Sequence, residues 1–288
     1  MKIAEALLVA VVGVLSCGFA GGGEPLPEGK VLVLEREVVE FGSKPEAPAD
    51  KGGQESPDAD ADRAAAPEMV ERSRTGYVVK LAPGMLREYC TQTNLVTIVR
   101  YDLEKIWKVD PAKRSFREIS FSEINNSAAR ARERLERRLP LIADGALRES
   151  LKNLLGVEGR TVPVIIKKTG AAESIAGEQC EELVASLDGR ELFRAWVAPG
   201  NTAIADRRWL MLGSTLPPAV AGKLAAVKGL ILKATFPLPD GRLEINTSRL
   251  YEDQFREGDF DDPETLGYKL LGTRKPDKTK AGKSAGKK

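Results

Sequence analysis

The sequence contains no histidine among its 288 residues. This absence excludes histidine-dependent triads, histidine general bases and histidine-ligated zinc sites. A second feature that the chain lacks is an excess of one charge, because 44 Lys and Arg residues stand against 42 Asp and Glu residues and give a formal net charge of +2. Nucleic-acid-binding proteins usually have a marked basic excess, so we expect no specific nucleic-acid partner.

The remaining catalytic signatures are weak. Glu181-Glu182 and Asp261-Asp262 are adjacent acids, and neighbours in an extended chain point to opposite sides instead of forming an acid/base pair. Gly21 to Gly23 do not precede a helix, and the acidic run from Asp58 to Asp62 lacks the glycine and final glutamate of a calcium loop. We therefore predict a protein that is not an enzyme, with no catalytic residue, metal or cofactor.

The first 20 residues have the features of a secretory signal peptide. Lys2 precedes an unbroken apolar stretch from Ala6 to Leu15, which is shorter than the ~20 residues of a membrane-spanning helix. Gly18-Phe19-Ala20 suits the ordinary signal peptidase, whereas Val14-Leu15-Ser16-Cys17 is similar to a bacterial lipobox and would make Cys17 a lipidated N-terminus. We expect an exported protein, in the bacterial periplasm or anchored on the periplasmic side of a membrane through Cys17.

The chain has three cysteines, and an odd number in an exported protein needs an explanation. If Cys17 carries lipid, Cys90 and Cys180 remain as an even pair in an oxidising compartment, where a disulfide would form. The alternative is two buried free thiols, since free cysteine packs as a small apolar side chain.

Composition divides the chain into a folded domain and flanking segments. Residues 1–20 form the signal peptide, and residues 21–28 form a linker rich in Gly and Pro. The folded domain spans residues 29–272 and is interrupted at 43–72 by an acidic insertion that we predict to be disordered. The final segment, 273–288, is expected to be a disordered basic tail that either solubilises the protein or is attracted to anionic lipid, polymer or nucleic acid.

Short apolar and β-branched segments predict strands through most of the domain. They are Val31–Phe41, Tyr77–Leu81, Met85–Cys90, Asn94–Tyr101, Lys105–Val109, Ser115–Phe121, Thr161–Ile166, Cys180–Leu187, Glu191–Val197, Leu230–Phe236 and Leu243–Tyr251. Helical spacing is found near residues 131–142, 144–156, 202–212 and 217–228, with a break expected at Pro140. The pattern predicts an α+β fold, a single antiparallel sheet with helical insertions.

Three segments resemble an uncharacterised family of exported bacterial proteins. They are the strand–turn–strand Arg100–Ile119, the segment Lys168–Pro199 with its Ile175-Ala176-Gly177-x-x-Cys180 turn, and the closing segment Phe260–Leu271. The spacing of Pro263 and Gly267 and the long acidic insertion depart from the family pattern. That family is similar to the LolA-like lipoprotein-carrier superfamily, which implies a single curved antiparallel β-sheet, a half-open β-barrel closed by helices.

The resemblance implies a non-catalytic cell-envelope protein that binds or escorts a lipid, an acyl chain or a lipidated protein in the groove of the half-barrel. Val96, Ile98, Trp107 and Trp196 are the candidate ligand-binding residues on the hollow face of the sheet. Alternatively, the tryptophans fill a core under the helices. The protein would then be a structural or regulatory interaction protein that docks partners through its surface and basic tail.

Overall fold

The structure of the protein is a computed structural model. It describes residues 26, 28–43, 69–143, 145, 148–149, 152, 164–187, 189–199, 229–238 and 240–271. The predicted signal peptide with Cys17, the predicted helices at 202–212 and 217–228, and the basic tail lie outside the described residues. No helix of the described part is long and apolar enough to cross a membrane.

Twelve strands form one sheet in the described ranges. They are β1 (Lys30–Ser43), β2 (Met69–Ala82), β3 (Met85–Cys90), β4 (Val96–Arg100), β5 (Lys105–Asp110), β6 (Ser115–Ser120), β7 (Val164–Ile175), β8 (Glu178–Leu187), β9 (Arg190–Ala198), β10 (Leu230–Leu238), β11 (Gly241–Gln254) and β12 (Lys269–Leu270). Their order is β12-β6-β5-β4-β3-β2-β1-β11-β10-β9-β8-β7, so β12 and β7 are the two edges of an open sheet. All pairs are antiparallel except β12 with β6. The predicted single antiparallel sheet is thus confirmed.

The acidic insertion is shorter than the sequence indicated. β1 extends to Ser43 and β2 begins at Met69, and the two strands pair from Leu32–Leu81 through Ser43–Met69. Residues 71–74 are polar, a composition typical of a loop. In the structure they are part of β2, which is held by pairing with β1. Arg74, for example, contacts both Glu37 of β1 and Glu71. The prediction of disorder was therefore wrong for residue 43 and for residues 69–72. Residues 44–68 lie outside the described part.

One helix, α1 (Phe121–Arg138), follows β6 directly. Ser120 caps it through the Glu123 backbone N–H, and the Glu123 side chain accepts from the Ser120 N–H, which completes a capping box. The helix therefore begins ten residues before the predicted start at Ala131. The helix ends at Arg138 and is followed by a single 3₁₀ turn, Leu139–Leu141, which contains Pro140. This agrees with the predicted break at Pro140.

The two faces of the sheet carry different apolar clusters. Leu32 and Leu34 of β1 belong to the main core, which extends across the sheet to β7 and includes Phe121 of α1. Val31 and Val33 alternate with them and pack against Phe260 on the other side. We call the face with the main core the inner face and the opposite one the outer face. Because β1 is buried on both faces, it is a continuous apolar run at its start.

The chain after β11 covers part of the outer face. Phe255 and Phe260 stack with ring centroids 5.6 Å apart, and Asp259 accepts a hydrogen bond from Lys80 Nζ at 2.6 Å. The segment then adds β12 beside β6, with Lys269 opposite Ser115. This C-terminal segment, residues 255–271, is part of the fold and shields outer-face side chains of the first six strands.

Candidate functional site

Three of the four predicted ligand-binding residues lie together, but on the outer face. Val96, Ile98 and Trp107 form a cluster with Val109 and Phe116. The neighbouring residues Val99 and Ile106 belong to the main core instead, and successive residues of a strand point to opposite faces. The structure thus places these three residues on the face opposite the main core, and their contact with a ligand stays a prediction.

The outer cluster is a packed core with only a small cavity. Trp107 is 0% exposed, and its Nε1 donates to Glu118 Oε2 at 3.0 Å. Beside it lies a cavity of about 70 Å³ between the sheet and the C-terminal segment, lined in part by Val96, Ile98 and Tyr268. Burial opposes ionisation of Glu118, but hydrogen bonds from Trp107 and Lys105 outweigh it and hold the pKa of that carboxyl below its usual value. The outer cluster therefore stabilises the packing of the C-terminal segment on the sheet and leaves little room for a ligand.

Trp196 lies elsewhere, on β9. Its ring is half-buried and packs against the main core, to which the neighbouring Ala195 and Val197 belong. Lys233 Nζ lies 4.4 Å from the centroid of the ring. The structure thus does not bring Trp196 together with Trp107.

The cysteine pair is not joined either. Cys90 and Cys180 are both free in the structure. They lie on β3 and β8, with β2, β1, β11, β10 and β9 between them in the sheet order. Burial raises the pKa of the Cys180 thiol to about 11, so this thiol is protonated at neutral pH. Both thiols are free, as in the alternative of the sequence analysis, but only Cys180 is buried and Cys90 is half-buried. Cys180 has none of the character of an activated nucleophile.

The inner face of the first six strands carries an unbroken apolar row. Paired residues on successive strands place its six members side by side. The row consists of Leu32, Leu81, Leu86, Val99, Ile106 and Ile119. The first five are between 3% and 8% exposed, and Ile119 is half-buried. Phe121 and Ile124 of α1 pack against the same core. We call this set the apolar row.

A second row lies two residues further along each strand, which is about 7 Å away. On β3 to β6 its members are polar and stand opposite one another in register. They are Glu88, Thr97, Lys108 and Arg117, and we call them the polar row. Glu88 and Thr97 are half-buried, whereas Lys108 and Arg117 are exposed. The inner face therefore changes from apolar to charged over one step along the strands.

A buried arginine adds to this charged region. Arg36 lies on β1 opposite Tyr77 and Thr247 and is 4% exposed. Its Nε donates to Thr247 Oγ1 at 3.2 Å, and its Nη2 donates to the Ile231 carbonyl at 2.6 Å. Burial is the main cause that raises the pKa of Tyr77 to about 12, and the nearby Glu88 and Cys90 contribute to the same shift. Tyr77 is thus a neutral hydroxyl beside Arg36.

Glu88 is the carboxylate of the polar row. Burial raises the pKa of its carboxyl, and the positive charges of Arg36 and Lys108 offset only part of that effect. A carboxyl with a higher pKa in the folded state stabilises the fold below its unfolded pKa, and this contribution is lost as the pH rises through the folded pKa.

We expect Glu88→Gln to raise the free energy of unfolding by about 1 kcal/mol at neutral pH, because the variant removes a partly buried charge. At about pH 3 the wild-type carboxyl is protonated, so the two proteins should have equal stability. Urea unfolding at both pH values measures the difference. A variant that is less stable than wild type at neutral pH would show that an ionised Glu88 stabilises the fold.

The alternation of K-I-W-K-V-D in β5 could have revealed the polar row, since Ile106 and Lys108 necessarily share one face and Trp107 and Val109 the other. Among the described residues, no three His, Cys, Asp or Glu side chains are grouped as metal ligands. The inner face is suited to contact an apolar group and a charged group side by side.

No protein-family model matches the chain, and no curated protein matches it significantly. An uncharacterised conserved protein from Thermus thermophilus has a TM-score of 0.38 at 7% identity, with 93% of this chain and 98% of that chain covered. The MucA/MucB complex of Pseudomonas aeruginosa gives 0.36 at 7%, with 94% of this chain and 64% of that chain covered. LprF from Mycobacterium bovis gives 0.26 at 9%, covering 91% and 97%. Likenesses this distant carry no argument about function.

Proposed function

We propose that this protein is a non-catalytic protein of the bacterial cell envelope that binds or escorts a hydrophobic or lipidated ligand on the inner face of a curved, half-open sheet. The observation that carries the proposal is the apolar row beside the polar row. A lipid or a lipidated protein likewise has a polar group next to an acyl chain, so its acyl chain would match the apolar row and its polar group the polar row. The apolar N-terminal segment supports export, and a lipid on Cys17 would attach the protein to the periplasmic side of a membrane.

The energetic argument is simple. Each methylene group removed from water contributes about 0.8 kcal/mol, so a chain of about ten methylenes contributes roughly 8 kcal/mol before the costs of association. Those costs reduce the affinity to the micromolar range. The ligand must lie where the inner face still reaches solvent, which is the side of the half-buried Thr97 and Ile119.

A displacement titration with a fluorescent fatty acid tests the proposal. Thr97→Trp places an indole in the polar row of the inner face, beside the apolar row, and we expect it to weaken binding at least tenfold. The matched control is Lys105→Trp, which places the same ring on the outer face of the neighbouring strand and should leave the affinity within twofold. Thermal unfolding of both variants shows that they are folded. Absence of saturable binding at tens of micromolar, or equal effects of both variants, would contradict the proposal.

A second function is favoured by one observation. Five members of the apolar row are already buried, as expected of a filled core. In that case the protein is a structural or regulatory interaction protein that docks partners through its surface and basic tail. The same titration separates the two functions, because a filled core binds no fatty acid.

A further inference from the structure

The charges of the inner face are unbalanced. Along the first six strands the inner face carries three positive side chains: Lys108 and Arg117 are adjacent on β5 and β6, and the buried Arg36 lies on β1, with β2, β3 and β4 between. Glu88 is the acid among them, and burial raises the pKa of its carboxyl. The local charge is therefore positive, although the whole chain is almost neutral.

Lys108 and Arg117 stand directly opposite each other on β5 and β6. Like charges in this cross-strand position destabilise a sheet. Neither side chain forms a hydrogen bond or an ion pair within the described ranges, and both are exposed. Cations of the outer face are arranged differently, since Lys105 bonds to Glu118 at 3.0 Å and Lys80 bonds to Asp259 at 2.6 Å.

We infer that the ligand carries an anionic group next to its apolar part, and that Lys108 and Arg117 bind this group. The inference rests on the proposed function and specifies the chemistry of its ligand. An anion between the two side chains relieves their mutual repulsion and accepts charge-assisted hydrogen bonds from both. The guanidinium of Arg117 can bind a phosphate or carboxylate with two parallel bonds, and the ammonium of Lys108 adds a point charge.

The position of the pair fits a single amphiphile. The apolar row begins about 7 Å from the polar row, so one molecule can lay its chain against the half-buried Ile119 while its head reaches Lys108 and Arg117. Arg36 adds positive potential from β1 while it keeps its bonds to Thr247 and Ile231. Because the cations are exposed, their contribution should fall as salt screens them.

The test uses the full chain and three probes below their aggregation concentrations. Lauroyl lysophosphatidylglycerol is anionic, lauroyl lysophosphatidylcholine has the same acyl chain with a zwitterionic head, and inorganic phosphate has no chain. We expect wild type to bind the anionic lipid at least tenfold more tightly than the zwitterionic one and phosphate alone not to compete. The double variant Lys108→Gln/Arg117→Gln should lose this preference while its affinity for the zwitterionic lipid stays within twofold.

The control removes two positive charges elsewhere. Lys167→Gln/Lys168→Gln changes two exposed side chains of β7 and should keep the preference. If wild type binds both lipids equally, the inference is overturned while the proposed function stands. If phosphate alone competes fully, the ligand is a free anion and the inference is overturned. If neither lipid binds, the proposed function fails and the inference with it.

Discussion

Replacing Trp107 by alanine is expected to lower the free energy of unfolding by about 3–5 kcal/mol without changing the ligand affinity of the folded protein. The indole is fully buried in the outer cluster, and its Nε1 is bonded to Glu118. The substitution leaves a cavity where the side chain was, and it removes a hydrogen bond from a carboxylate. Urea unfolding measures the loss, and the fatty-acid titration of the folded variant measures affinity.

Trp196→Ala is the matched control. Trp196 is half-buried and stacks under Lys233, so its truncation should cost about 1 kcal/mol. A Trp107→Ala protein that keeps its stability but binds the ligand more weakly would place Trp107 in the binding groove after all.

Replacing Phe260 by alanine should have an effect of similar size, about 3–5 kcal/mol. Phe260 is 1% exposed and packs with Val31, Val33 and Ala82. Its backbone carbonyl also accepts a hydrogen bond from Arg100 Nη1 at 3.1 Å. Because this ring attaches the C-terminal segment to the outer face, we expect the variant to be cleaved between residues 255 and 271 by a protease that spares the wild type.

Phe255→Ala provides the comparison for that experiment. Phe255 stacks on Phe260 but is only half-buried, so the loss of stability should be about half as large. Equal loss from both variants, or no new cleavage in Phe260→Ala, would contradict the assigned role of Phe260.

Much of the sheet could be predicted because its pairing is local. β4, β5 and β6 were recognised by their β-branched composition, and the turn from Asp110 to Lys113 lies between the two strands of the strand–turn–strand segment Arg100–Ile119. The turn at Ala176 and Gly177 was also expected, and Gly177 has the positive φ of 89° that glycine tolerates. These features depend on residues next to one another in the chain.

The start of α1 was missed although its signal is local. Ser120 and Glu123 form a capping box that the sequence displays, but Ser115 to Phe121 was assigned to a strand and Phe121 was included in it. The length of β2 was missed for another reason. Residues 71–74 of this strand are polar and gain their strand conformation from pairing with β1, which no local pattern predicts.

By itself, the sequence determined every strand except β12, the antiparallel succession of β3 to β6 and the absence of histidine chemistry, because alternation, turn residues and composition are properties of short segments. The tertiary structure decided which face of each strand meets which core. Alternation assigns Ile98 and Trp107 to one face and Val99 and Ile106 to the other, but both sets are apolar. The C-terminal segment, more than a hundred residues away in the chain, covers the first set. Burial is settled by contacts between distant segments, so only the folded chain shows that the face with the polar row is the one that packs on the main core.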